Sequence, residues 1–91
     1  MMVARRFIVR GRVQGVGFRY FAIQAASRVG VSGTVRNLSD GTVEAIAEGT
    51  INAVADFRAQ LERGPSYASV ISVDEFDWPF TGRYSGFKVE Y

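Results

Sequence analysis

Two side chains in this sequence, Arg19 and Asn37, stand where neighbouring backbone could turn them into a site. The run Gly11-Arg12-Val13-Gln14-Gly15-Val16-Gly17-Phe18-Arg19 puts two glycines directly ahead of an arginine. Glycine takes positive φ without steric cost. The N–H groups of Gln14, Gly15, Val16, Gly17 and Phe18 can therefore turn into one concavity, a nest for an anion. A helix predicted to begin at Arg19 adds the unpaired N–H groups of its first turn and the positive end of its dipole. The Arg19 guanidinium is a permanent fork matched to phosphate or carboxylate oxygens. The whole reads as an oxyanion cradle, with inorganic phosphate or sulfate as the expected site ligand. The plainer reading is an ordinary glycine turn followed by a solvated arginine. Against it, a positive charge in the first turn opposes the helix dipole unless an anion sits beside it.

The cradle is neither of the common nucleotide loops. No Gly-Lys-Ser/Thr follows, and Tyr20 occupies the third glycine position of G-x-G-x-x-G. Asn37 lies in Gly33-Thr34-Val35-Arg36-Asn37-Leu38-Ser39-Asp40-Gly41. An asparagine before a turn commonly caps backbone groups. Its amide, with both a donor and an acceptor, can also orient a water without titrating. Asp40 reads as turn chemistry rather than a base. Phe18, Tyr20 and Phe21 read as core rather than as a platform for stacked bases.

Composition narrows the chemistry. There is no cysteine and no histidine, which excludes thiol nucleophiles, Cys-based metal sites and Ser-His-Asp machinery. No metal and no cofactor are expected. No stretch nears the roughly 20 apolar residues of a membrane span, and arginines interrupt the first apolar run. A cytoplasmic location, no membrane partner and a monomeric state are the simplest expectations. The net charge is only +2, yet residues 1–39 carry seven arginines and no acid, whereas residues 40–91 carry four bases and nine acids. Such a split suggests that the first half meets an anion, or else presents a solvated arginine face.

These residues need elements to position them. Residues 3–13 alternate as a strand, with Phe7, Val9 and Val13 on one face. Residues 19–29 read as a helix stopped by Gly30. A strand over 31–38, a turn at Ser39-Asp40-Gly41 and a strand over 42–48 follow. Thr50 caps a helix over 51–63 that ends at Gly64-Pro65. Residues 68–78 form a strand, 79–85 a loop and 86–91 a last strand carrying Phe87, Val89 and Tyr91 on one face. The 91 residues, 47% of them hydrophobic, suit one domain over 1–91. Its order, β-α-β-β-α-β plus a C-terminal strand, predicts an α+β, ferredoxin-like α/β sandwich. The sheet would be mostly antiparallel, with two helices on one face. The first crossover makes its two strands parallel, so Arg19 and Asn37 meet at one end of the sheet.

The stretch V-R-G-R-V-Q-G-V-G-F-R, residues 9–19, resembles the first signature of the acylphosphatase family at every defining position. Residues 33–49, G-T-V-R-N-L-S-D-G-T-V-E-A-I-A-E-G, resemble the second, with Thr34 where the family usually has an aromatic residue. Ser69 stands where a basic residue is frequent. The likeness extends over essentially the whole chain and implies metal-independent hydrolysis of the carboxyl–phosphate bond of small-molecule acyl phosphates. It assigns phosphate binding to Arg19 and the Gln14–Phe18 loop, and water positioning to Asn37. Two other readings remain. One is a nucleic-acid-binding module, although the K/R-G-F/Y-G/A-F-V-x-F/Y pattern is absent. The other is a non-catalytic anion-binding domain.

Overall fold

The computed structural model describes residues 1–91. Its elements are β1 (Met2–Arg12), α1 (Phe18–Val29), β2 (Ser32–Asn37), β3 (Val43–Thr50), α2 (Ile51–Arg63), β4 (Ser69–Trp78) and β5 (Phe87–Val89). They form one five-stranded sheet in the order β4-β1-β3-β2-β5. β1 runs antiparallel to both β3 and β4, and β2 antiparallel to β3, so β1 and β2 point the same way. The α+β ferredoxin-like expectation holds. The last strand is shorter than 86–91 and pairs in parallel with β2, Gly33 opposite Phe87 and Val35 opposite Val89.

Local chemistry explains the helix ends. Gly30 closes α1 in the left-handed region, and the N–H groups of Gly30 and Val31 both donate to Ala26 O. That doubled bond satisfies the last turn. Thr50 starts α2, its hydroxyl accepting from Ala53 N at 3.1 Å. The apolar faces meet in a core that includes Phe7, Val9, Val13, Phe18, Phe57 and Leu61. Phe57 packs against Phe7 and Phe87 with ring centroids 6.1 and 5.3 Å apart, which ties α2 to both a central and an edge strand.

Tyr20 departs from the expected core group. It is 69% exposed, whereas Phe18 is 1% exposed. Two residues along a helix is about 200°, so Tyr20 leaves the face that Phe18 and Ala22 share.

Because β4 and β5 occupy opposite edges, the chain between them must cross the sheet. The buried carboxylate of Glu48 anchors that crossing. It accepts from Thr81 N at 2.7 Å, Thr81 Oγ1 at 3.2 Å and Gly82 N at 3.0 Å. This brings β5 alongside β2, the strand that ends at Asn37.

Candidate active site

The loop between β1 and α1 has the conformation that its glycines suggest. Gly15 and Gly17 have φ of 73° and 79°. A Cβ built on either would meet nothing within 4 Å, so backbone geometry, not crowding, demands glycine there. Gly17 is the N-cap of α1, without a side-chain cap and without an acid in the first turn. The N–H groups of Gly15, Val16, Gly17 and Phe18 make no backbone hydrogen bond. They form, with the helix N-terminus, a concentration of unsatisfied donors. The helix begins at Phe18, one residue before the expected start, which leaves Arg19 within its first turn.

The Gln14 side chain also shapes this loop. Its side-chain Nε2 donates to Leu38 O at 2.7 Å and to Thr42 O at 2.9 Å. The amide thus clips the cradle loop to the turn that follows Asn37. Asp40 completes that turn, accepting from Thr42 N at 3.0 Å and Thr42 Oγ1 at 2.6 Å. The Thr42 hydroxyl and backbone N–H hold the Asp40 carboxyl below its usual range. Both of its hydrogen bonds are internal to the turn, in keeping with a structural role. Gln14→Ala should cost about 1–2 kcal/mol, two neutral hydrogen bonds, in a thermal melt. Gln14→Glu should cost more, because it aims a carboxylate at two carbonyl oxygens.

One cavity of about 300 Å³ gathers Gly15, Gly17, Arg19 and Asn37 along its polar lining. The apolar lining comes from Val13, Tyr20, Ile23, Val89 and Tyr91. Arg19 and Asn37, 18 positions apart in sequence, therefore line the same site, as the parallel β1–α1–β2 crossover requires. Phe18 also borders the cavity, but its ring is buried in the core.

Five of the lining residues lie outside the site read from the sequence: Val13, Tyr20, Ile23, Val89 and Tyr91. Ile23 had a readable signal, since it stands one helical turn beyond Arg19 on the same face. Val89 and Tyr91 enter because of the parallel β2–β5 pairing. The Tyr91 ring centroid lies 5.6 Å from Arg19 Cζ, a cation–π contact.

The charge split has a different explanation from the one that its pattern suggests. Arg6 and Arg36 grip Glu44 at 2.7 and 2.8 Å. Arg5 pairs with Glu75 and Asp77, and Arg10 with Asp74. Most of the basic first half is thus neutralised by the acidic second half across neighbouring strands. Arg12, Arg19 and Arg28 have no carboxylate within 4.0 Å, and of these three only Arg19 lines the cavity. It faces the cavity as an unneutralised cation.

Comparison with known proteins agrees with this geometry. The acylphosphatase family model matches residues 5–89. The acylphosphatase of Mannheimia succiniciproducens is 42% identical over 90 residues, covering 99% of this chain and all of its own. The acylphosphatase crystal structure from Bacillus subtilis superposes with a TM-score of 0.93 at 36% identity, covering the whole of both chains. That from Coxiella burnetii gives 0.92 at 32% identity over 98% of this chain and 93% of its own. A match spanning both the glycine loop and the Asn37 strand, at this identity and length, places the chain in the acylphosphatase family.

Proposed function

We propose that residues 1–91 act as one domain, a monomeric acylphosphatase. It hydrolyses the carboxyl–phosphate bond of small acyl phosphates to a carboxylate and inorganic phosphate. The observation that carries this reading is the single cavity shared by Arg19, Asn37 and the unsatisfied N–H groups beside Gly15 and Gly17.

The phosphoryl group sits in the Gln14–Phe18 cradle, its oxygens taking N–H bonds from the loop and the Arg19 fork. Charge on those oxygens in the transition state meets donors already in place, which need no reorganisation. The Asn37 amide holds a water in line with the scissile P–O bond. The water oxygen attacks phosphorus, the bond to the carboxylate oxygen breaks, and a phosphate oxygen takes the proton. The departing carboxylate has a conjugate-acid pKa of about 4, so it leaves without a general acid. A site without histidine or cysteine is thereby matched to its leaving group.

Asn37→Ala separates the two roles. It should lower kcat by about 10²-fold, the scale of a lost positioned polar group. Inhibition by inorganic phosphate should stay within a factor of about two to three. Steady-state kinetics with phosphate as inhibitor measures both quantities. Equal loss of phosphate binding and kcat would place Asn37 in the cradle instead.

A further inference from the structure

We infer that Gln14 is a positioning residue for the reaction. Its side-chain amide sets the separation between the phosphate cradle and Asn37, and so aligns the attacking water with phosphorus. This rests on the hydrolase reading above and adds to it the device that keeps the two halves of the site in register.

Those halves hang on different parts of the sheet. The β1–β3 ladder ends at the pair Val9 and Val43. Beyond it β1 runs on against β4, its register shifting between Arg10 and Gly11, to a last pair of Arg12 and Ser69. The cradle is thus delivered from the β4 side. Asn37 instead closes the β2–β3 ladder opposite Val43. Gln14 Nε2 donates to Leu38 O at 2.7 Å and to Thr42 O at 2.9 Å, and no other hydrogen bond joins the cradle loop to the turn 38–42.

The turn does not need Gln14 for its own closure. Leu38 N donates to Thr42 O at 2.9 Å, and Gly41 N to Leu38 O at 3.2 Å. Both carbonyls that Gln14 reaches are already partnered, so its amide supplies a link rather than satisfying an orphan. Both Nε2 hydrogens are committed to the turn, which leaves none for a phosphoryl oxygen. The Asn37 amide, by contrast, makes no hydrogen bond within the chain. Its aim rests on where the backbone puts it, and Gln14 holds the very next residue, Leu38.

A double-mutant cycle with benzoyl phosphate as substrate separates alignment from mere support. Gln14→Met keeps the length of the side chain and removes both donors. Alone, it should lower kcat and kcat/KM together by at least about tenfold, since a misplacement of about 1 Å can cost 10²-fold. Inhibition by inorganic phosphate should stay within a factor of about two, because the loop N–H groups and Arg19 remain. In the Asn37→Ala background the same substitution should change kcat by less than about twofold, for no amide is left to misalign. Gln14→Ala should give the same pattern. The turn keeps its own hydrogen bonds in both variants, so the fold is retained, and a thermal melt checks this. Unchanged kcat in Gln14→Met, or an equal loss in both backgrounds, would overturn the alignment role while leaving the hydrolase reading intact. So would a loss of phosphate inhibition in step with kcat in a variant that still melts cooperatively, which would put the amide in the cradle. Wild type that does not hydrolyse benzoyl phosphate would overturn both.

Discussion

Arg19→Ala should lower kcat by at least about 10²–10³-fold, the loss typical of one preorganised oxyanion donor. It should also weaken inhibition by inorganic phosphate, because in the proposed mechanism the same guanidinium binds the ground state and the transition state. Arg19 is well placed for so large an effect. It sits in the first turn of α1, lines the cavity and has no carboxylate within 4.0 Å to compete for it. Arg19→Lys should recover only part of the loss, since an ammonium supplies charge but not two parallel donors. Phosphate inhibition measured on the three proteins checks this. Equal inhibition of wild type and Arg19→Ala would show that the anion lies elsewhere.

The second large effect is on stability. Glu44 lies near the middle of the sheet with its side chain 4% exposed, clasped by Arg6 at 2.7 Å and Arg36 at 2.8 Å. Burial alone would push its carboxyl up. The hydrogen bonds and charges of Arg6 and Arg36 outweigh burial and hold it below its usual range. Breaking a fully buried ion pair by removing one partner costs about 3–5 kcal/mol. The Arg6 and Arg36 side chains, however, are 26% and 41% exposed, so losing their charged acceptor costs about 1–3 kcal/mol. Glu44→Gln should therefore lower the melting temperature at pH 7 by about 5–15 °C for a chain of this size.

The sign of the pH dependence follows from the lowered pKa. Glu44 is ionised more readily in the folded chain than in the unfolded one. Its contribution is thus complete above its unfolded pKa of about 4.3 and is lost as pH falls through the folded value. Thermal melts of wild type and Glu44→Gln should differ most at neutral pH and begin to converge as pH falls below the unfolded pKa of about 4.3. They should meet only below the lowered folded value, where the wild-type carboxyl is neutral in the folded chain as well. A gap that stays constant through that range would contradict the ion-pair account.

How much of this was legible in the sequence depends on the range of the interaction. The cradle was readable because it is local: Gly15 and Gly17 are the residues that positive φ favours, and a helix start follows them. Arg19 and Asn37 were readable as a pair once the crossover was recognised, since parallel β1 and β2 bring their ends together. The Thr50 cap and the Gly30 stop follow from one residue type each. Other features depend on pairings that no short window contains. The parallel docking of β5 on β2, which brings Val89 and Tyr91 to the cavity, is set by the Glu48 anchor and the Phe57–Phe87 packing. The Gln14 clip spans 24 and 28 positions. The arginine excess was visible as a pattern, but its main cause, pairing with acids on neighbouring strands, became visible only with the strand register.

By the proposed function, this cavity hydrolyses acyl phosphates with the groups the chain itself supplies. Release of phosphate from benzoyl phosphate, followed with a metal chelator present, tests it most directly. Wild type should turn over far above the buffer rate, with Arg19→Ala close to that background. Wild type no faster than buffer would contradict the account and leave a protein that binds anions without hydrolysing them.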